Sequence, residues 1–233
     1  MKSNLWIIPA LFFVAAAATN LIGHTSLAPS SISELVKPAL LPLLALTTLA
    51  AAGTPNFKGL KTIILAQLFG CTGDILLIPD GFMPFVCGML AFLLGHVCYM
   101  SVFGGRSWKG LKLSTWIIAI IVMAAAVAGL IVAIGIKGAM LAPMAVYGMA
   151  LMLLIFSALM GVVRIGGKAW WIILLGALLF TFSDALIATG SFGVLPFPGK
   201  RFVIMLTYIV AQSLLAAGFL RLKSLDSNIR KNR

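Results

Sequence analysis

Residues 113–134 read LSTWIIAIIVMAAAVAGLIVAI, a run without one charged side chain, closed off by Lys112 before it and Lys137 after it. At a rise of about 1.5 Å per residue, a helix of that length crosses the roughly 30 Å hydrocarbon core of a bilayer. A strand reading fails, because the run has no period-two alternation of apolar and polar residues. The segment is therefore a membrane-spanning helix, and the rest of the chain falls into the same pattern around it.

Seven more apolar runs repeat it. The expected spans are 5–22, 32–52, 60–78, 83–103, 113–134, 139–161, 169–189 and 201–221. The breaks carry turn residues: Pro29 to Ser31, Gly53-Thr-Pro55, Pro79-Asp-Gly81, Gly104-Gly105, Gly135 to Gly138, Gly166-Gly167 and Pro196-Phe-Pro198. Of 233 residues, 62% are hydrophobic and only 9% charged, against about 25% charged in soluble domains. A soluble globule and a disordered chain are both excluded, since lipid tolerates only backbones that satisfy themselves. The expectation is an all-α, polytopic bundle of eight transmembrane helices. It forms a single integral-membrane domain over 1–233, with 222–233 a basic cytoplasmic tail.

The net charge is +12, from 17 Lys and Arg against 5 acids. The cations flank the spans and form no separate basic domain, so nucleic acid is not an expected partner. With the N-terminus cytoplasmic, thirteen cations fall inside. Lys37, Lys137, Lys200 and Arg201 fall outside. That bias puts both termini in the cytoplasm. Lys2 and the Ala15–Ala18 patch resemble a cleaved signal, but the apolar run continues to Ile22, so the first helix is expected to stay. Cys71, Cys87 and Cys98 lack metal-ligand spacing and read as buried thiols.

Polar groups inside the spans are costly and mark candidate sites. Asp74 lies near the outer end of helix 3 and Asp184 near the outer end of helix 7. Lys37 opens helix 2 at a similar depth, His96 lies mid-span on helix 4, and Gln67, Cys71 and Asp74 share one helix face. Tyr208 and Gln212 share a face of helix 8. Glu34 and Asp80 read as solvated loop residues. Gly73-Asp74-Ile-Leu and Ser183-Asp184-Ala-Leu form a weak repeat four helices apart. Two parallel four-helix repeats would bring the aspartates face to face in a shared polar cavity.

Read as a set, these motifs resemble the YhhN-like lysoplasmalogenases. The resemblance is carried by Phe85-Val-Cys-Gly88-Met-Leu-Ala91-Phe92-Leu-Leu-Gly-His96-Val-Cys-Tyr99, with Gly73-Asp74-Ile-Leu-Leu before it. Lys37-Pro38, Ser183-Asp184, and Tyr208 with Ala211-Gln212 belong to the same pattern. The resemblance implies a bacterial inner-membrane hydrolase of lysoplasmalogens, a lysophospholipid substrate, no cofactor and no metal. It implies Asp74 and Asp184 as the catalytic pair; by their chemistry and position, Lys37, His96, Tyr208, Gln212, Gln67 and Ser183 are expected to bind substrate or support them. Vinyl ether hydrolysis needs an acid, a counter-charge for an oxocarbenium ion and a base for water, which paired carboxylates supply. Two other readings stay open: a small-molecule or lipid transporter, and an intramembrane aspartyl protease. The protease reading is weakened by Cys71 where Gly is needed and by Ser183 before the second aspartate.

Overall fold

The computed structural model describes residues 4–53 and 57–231, with side chains through Lys223. Among these residues all regular structure is helical. The helices are α1 (Ile7–Ile22), α2 (Ser30–Ala52), α3 (Leu60–Leu76), α4 (Phe82–Ser107), α5 (Leu113–Ile134), α6 (Leu141–Arg164), α7 (Lys168–Ser191) and α8 (Lys200–Lys231). Seven are long and apolar enough to cross a membrane, and α3, with 17 residues, sits at the short limit for a span. The protein is an integral-membrane helical bundle. Its loops fall at two ends, here called the tail end, where α8 finishes, and the distal end, which holds the α1–α2, α3–α4, α5–α6 and α7–α8 connections.

Two helices run further than their apolar runs suggest. α4 continues through Gly104-Gly105 to Ser107, because the Trp108 ring packs where a Gly104 side chain would stand, 2.6 Å from an ideal Cβ. α8 carries on through the expected basic tail, from residue 222 as far as Lys231, with no Gly or Pro to stop it.

Six helices close a ring in the order α2, α3, α4, α6, α7, α8, back to α2. Outside the ring, α1 lies along α2 and reaches α8, and α5 lies along α6. Exchanging α1–α4 for α5–α8 reproduces this neighbour list except for the α1–α8 contact, which is the pattern of two parallel repeats about an axis along the bundle. A shift of 110 residues superposes the central sequence, taking Val36 to Val146, Leu41 to Leu151, Leu44 to Leu154, Ile63 to Ile173 and Leu76 to Leu186. The same shift takes Asp74 to Asp184 and Lys37 to Tyr147.

Close packing in lipid depends on small residues, because no hydrophobic effect presses the helices together. A Cβ on Gly73 would stand 2.7 Å from the Phe92 ring, and one on Gly161 only 1.9 Å from Trp170. α2 contains Pro38 and Pro42. Proline lacks an N–H, so Pro42 leaves the carbonyl of Pro38 without its helical donor. The Cys71 thiol on α3 donates to that carbonyl at 3.3 Å. Cys71, Cys87 and Cys98 are half-buried rather than fully enclosed.

The halves differ in their outer helices. Phe13 and Ala17 of α1 belong to the main core. α5 does not join it: the aromatic stack Trp108–Trp116–Phe156 pins its tail end, with ring centroids 5.2 and 5.3 Å apart. At the distal end Gly135, at φ 75°, turns the chain so that Ile136 packs with Ile134, Met140 and Ala188. Between these two attachments a cleft stays open beneath α5.

Candidate active site

The two aspartates lie near the distal end, each inside its own half. Asp74 is 2% exposed. Its Oδ1 is 3.5 Å from the Lys37 ammonium, and its Oδ2 accepts from the Tyr208 hydroxyl at 2.8 Å. α3, α2 and α8 therefore converge on one carboxylate. Asp184 is 6% exposed, and its Oδ2 accepts from the Tyr147 hydroxyl of α6. Lys37 and Tyr147 stand at equivalent points of the repeat, so the halves share a carboxylate and differ in its partner. One carboxylate faces a cation; the other faces a neutral phenol.

A chain of edge-on rings runs from Tyr208, on the Asp74 side, to Tyr147, on the Asp184 side. Phe92 of α4 stands edge-on to Phe180 and Tyr208, with centroids 6.4 and 5.9 Å apart. Phe180 meets Tyr208 at 5.6 Å and the His96 ring at 4.6 Å. His96 also lies edge-on to Tyr147 at 5.6 Å. Its Nδ1 is 2.6 Å from the carbonyl of Phe92. A carbonyl only accepts, so Nδ1 carries the proton. His96 Nε2 is thus a bare acceptor, buried and without a partner.

The cleft beneath α5 leads to Asp184. Counted out to its open mouth, its empty space is about 770 Å³. Phe85, Met89, Val127, Ile131, Leu151 and Ala188 are among the apolar groups lining it; Asp184, Tyr147 and Thr181 supply the polar ones. The cleft lining includes Asp184 and not Asp74, so this cleft is not the polar cavity shared by both aspartates that the sequence suggests. Asp184 opens onto an apolar cleft, while Asp74 sits in a polar cluster with Lys37 and Tyr208.

Three predicted supporting residues have hydrogen-bond partners other than the carboxylates, although the Gln212 amide and the Tyr208 hydroxyl both lie 3.3 Å from where a Cβ on Gly70 would stand. Gln67 donates to Thr48 of α2 at 3.2 Å, leaving its own carbonyl oxygen unpartnered. Gln212 accepts from Tyr99 at 2.6 Å, one turn from Tyr208. Ser183 donates to the carbonyl of Ile204 at 3.0 Å, tying α7 to α8. Each is an interhelical hydrogen bond of the kind that joins membrane helices. Tyr147 was absent from the sequence-based set, although the 110-residue shift that relates the aspartates points to it. Among the described residues, no three His, Cys, Asp or Glu side chains come close enough to share a metal ion.

With this geometry in hand, relatives become informative. The YhhN family matches residues 32–219, which include every helix of the ring. The chain belongs to that family. This YhhN-family protein is 32% identical to the lysoplasmalogenase TMEM86B of Homo sapiens over 78% of its own length and 73% of the human chain. It is 31% identical to TMEM86B of Mus musculus over 93% of its length and 87% of the mouse chain. The same identity holds to a lysoplasmalogenase of Mycobacterium tuberculosis, over 86% of this chain and 73% of that one. No solved structure matches the YhhN-family chain.

Proposed function

We propose that the protein is a lysoplasmalogenase. It would hydrolyse the vinyl ether bond of lysoplasmalogens in the bacterial inner membrane, with both termini cytoplasmic and the two aspartates as acid and base. The relatives' names support the substrate class. The observation that carries the mechanism is the unequal pairing of the two buried carboxylates, Asp74 with Lys37 and Asp184 with Tyr147.

Two buried carboxyls divide their protons according to surroundings. Asp74 keeps its charge, because an ammonium neutralises it and a phenol donates to it. Asp184 has no cation beside it and faces an apolar cleft, so it holds a proton. The alkenyl chain lies in that cleft with its double bond against Asp184. Asp184 gives its proton to the β-carbon, leaving an oxocarbenium ion on the carbon bonded to oxygen. The Asp74 carboxylate stabilises that cation and takes a proton from the water that adds to it. The hemiacetal then collapses. Its hydroxyl proton returns to Asp184, Asp74 protonates the departing glycerol oxygen, and a fatty aldehyde and a glycerophospho alcohol result. His96 Nε2 is a bare acceptor able to hold the attacking water.

The test is aldehyde release from a lysoplasmalogen by purified protein in detergent. Asp74→Asn and Asp184→Asn keep the side-chain shape and should each lower kcat by about 10²–10⁴-fold, the usual contribution of a positioned acid or base. Wild-type protein that is stabilised by the lipid yet forms no aldehyde would instead point to a binding or transport protein.

A further inference from the structure

The lipid just placed has one end unaccounted for. Its chain occupies the α5 side and its vinyl ether lies between the aspartates, so the glycerol and phosphate must extend past Asp74. On that side three basic side chains come from separate elements. Lys37 lies two turns into α2 and remains 17% exposed while paired with Asp74. Arg201 is exposed in the first turn of α8. His24 sits in the α1–α2 loop, its Nε2 shielded from solvent and without a partner.

The loop bearing His24 is held in place. Asn20 donates to the carbonyl of Ser33 at 2.8 Å, and Gly23 packs so tightly on α2 that a Cβ there would lie 2.7 Å from the Ser33 nitrogen. Ser33 lies one turn before Lys37 on α2, and Arg201 lies two turns before Tyr208 on α8, so His24 and Arg201 both stand on the distal side of the Lys37–Asp74–Tyr208 cluster. The fields of Arg201 and Lys37 add to burial in holding the His24 pKa down, and Glu34 opposes them. Three cationic or potentially cationic groups thus share one field, with a single exposed carboxylate against them. The neighbouring Lys200 is already committed, donating to Thr189 at 2.9 Å and to the carbonyls of Val194 and Leu195.

We propose that His24, Lys37 and Arg201 form a mouth that binds the phosphate diester of the lysophospholipid, setting the headgroup end of the substrate opposite the apolar cleft. An arginine offers paired donors to phosphate oxygens, a lysine a mobile point charge, and a histidine a donor whose protonation rises with an anion beside it. The repeat explains why only one of the two aspartates has these surroundings. Lys37 stands where the other half has Tyr147, so the surroundings of Asp74, completed by Arg201 of α8, are cationic and those of Asp184 lead to an apolar cleft, matching the two ends of a single-chain phospholipid. This assignment rests on the lysoplasmalogenase reading.

The experiment compares two substrates with the same vinyl ether, an alkenyl lysophospholipid and the phosphate-free alkenylglycerol. His24→Gln with Arg201→Gln should lower kcat/KM for the phospholipid relative to the alkenylglycerol at least tenfold, mainly through KM. Glu34→Gln should move that ratio the other way. Equal losses on both substrates would overturn the mouth. A second arm measures thermal stabilisation by a non-hydrolysable alkyl ether lysophospholipid and by inorganic phosphate. Stabilisation by the lipid that weakens in the double variant supports the mouth even if no aldehyde forms, in which case the hydrolase reading alone fails. Stabilisation by inorganic phosphate equal to that by the lipid would make free phosphate the ligand and overturn the headgroup assignment.

Discussion

Lys37 and Tyr147 occupy equivalent places in the two halves of the bundle, and each reaches the aspartate of its own half. The two pairs have the same sequence separation, so the repeat has kept the geometry and changed the chemistry. Replacing each residue should therefore give a different kinetic signature. Tyr147→Phe removes a donor to Asp184 without opening a void. It should lower kcat about tenfold, near 1.4 kcal/mol in the barrier, with little change in KM. Lys37→Met removes the counter-charge of Asp74 and a contact to the headgroup, and should raise KM as well as lower kcat. Steady-state rates of aldehyde release separate the two.

Chain-length preference should be set by α5. Val127 is 7% exposed and lines the cleft that leads to Asp184. Val127→Trp would fill the far part of that space. Activity on long alkenyl chains should fall about tenfold or more, while short chains keep most of theirs. A series of substrates of increasing chain length gives the answer, and a uniform loss along it would remove the cleft from the chain-binding role.

The Cys71 contact can be tested as a pair with Pro42. Cys71→Ala takes away the donor to the Pro38 carbonyl and should lower stability by about 1 kcal/mol. Pro42→Ala restores a backbone N–H to the same carbonyl. In the double variant the Cys71→Ala loss should shrink towards zero, giving a measurable coupling in thermal unfolding in detergent. Additive effects would mean that the thiol is not the partner of that carbonyl.

His24 gives a pH dependence with a defined sign. Its pKa is held below 6.5 in the folded protein by burial first, then by Arg201 and Lys37. The unfolded chain therefore binds this proton more readily than the folded one. The stability tied to a neutral His24 is complete above about pH 6.5, declines as the pH falls below it, and levels off once the folded form also protonates. Comparing Tm for wild type and His24→Gln between pH 8 and 5, the wild type should lose more on acidification. Parallel curves would show that His24 does not titrate in the folded protein's field.

Much of this was legible in the sequence, for identifiable reasons. The spans stand out because charges and turn residues bound them, as at Lys112 and Gly135. Asp74 and Asp184 stand out because ionisable groups are rare in lipid. Tyr147 does not, since one tyrosine in an apolar helix looks like packing until its partner is known. The partners of Gln67, Gln212 and Ser183 were not legible, because sequence reports polarity but not direction; they lie on neighbouring helices. The helix ends at Ser107 and Lys231 ran past their apolar stretches because amphipathic and polar residues continue a helix as well as apolar ones do. The contrast between the cationic surroundings of Asp74 and the apolar cleft at Asp184 was out of reach, because it depends on which helices meet.

The cleft beneath α5 and the basic groups around Lys37 lie on opposite sides of the bundle axis. Under the proposed reaction, bond cleavage severs the molecule that joined those two sides. The aldehyde is left in a greasy slot beside the lipid, and the phosphate-bearing alcohol at a polar opening beside water. Each product is then soluble in a different phase and departs into it. Re-formation of the bond would require the two to meet again across that boundary, so the architecture itself would make turnover a one-way exit.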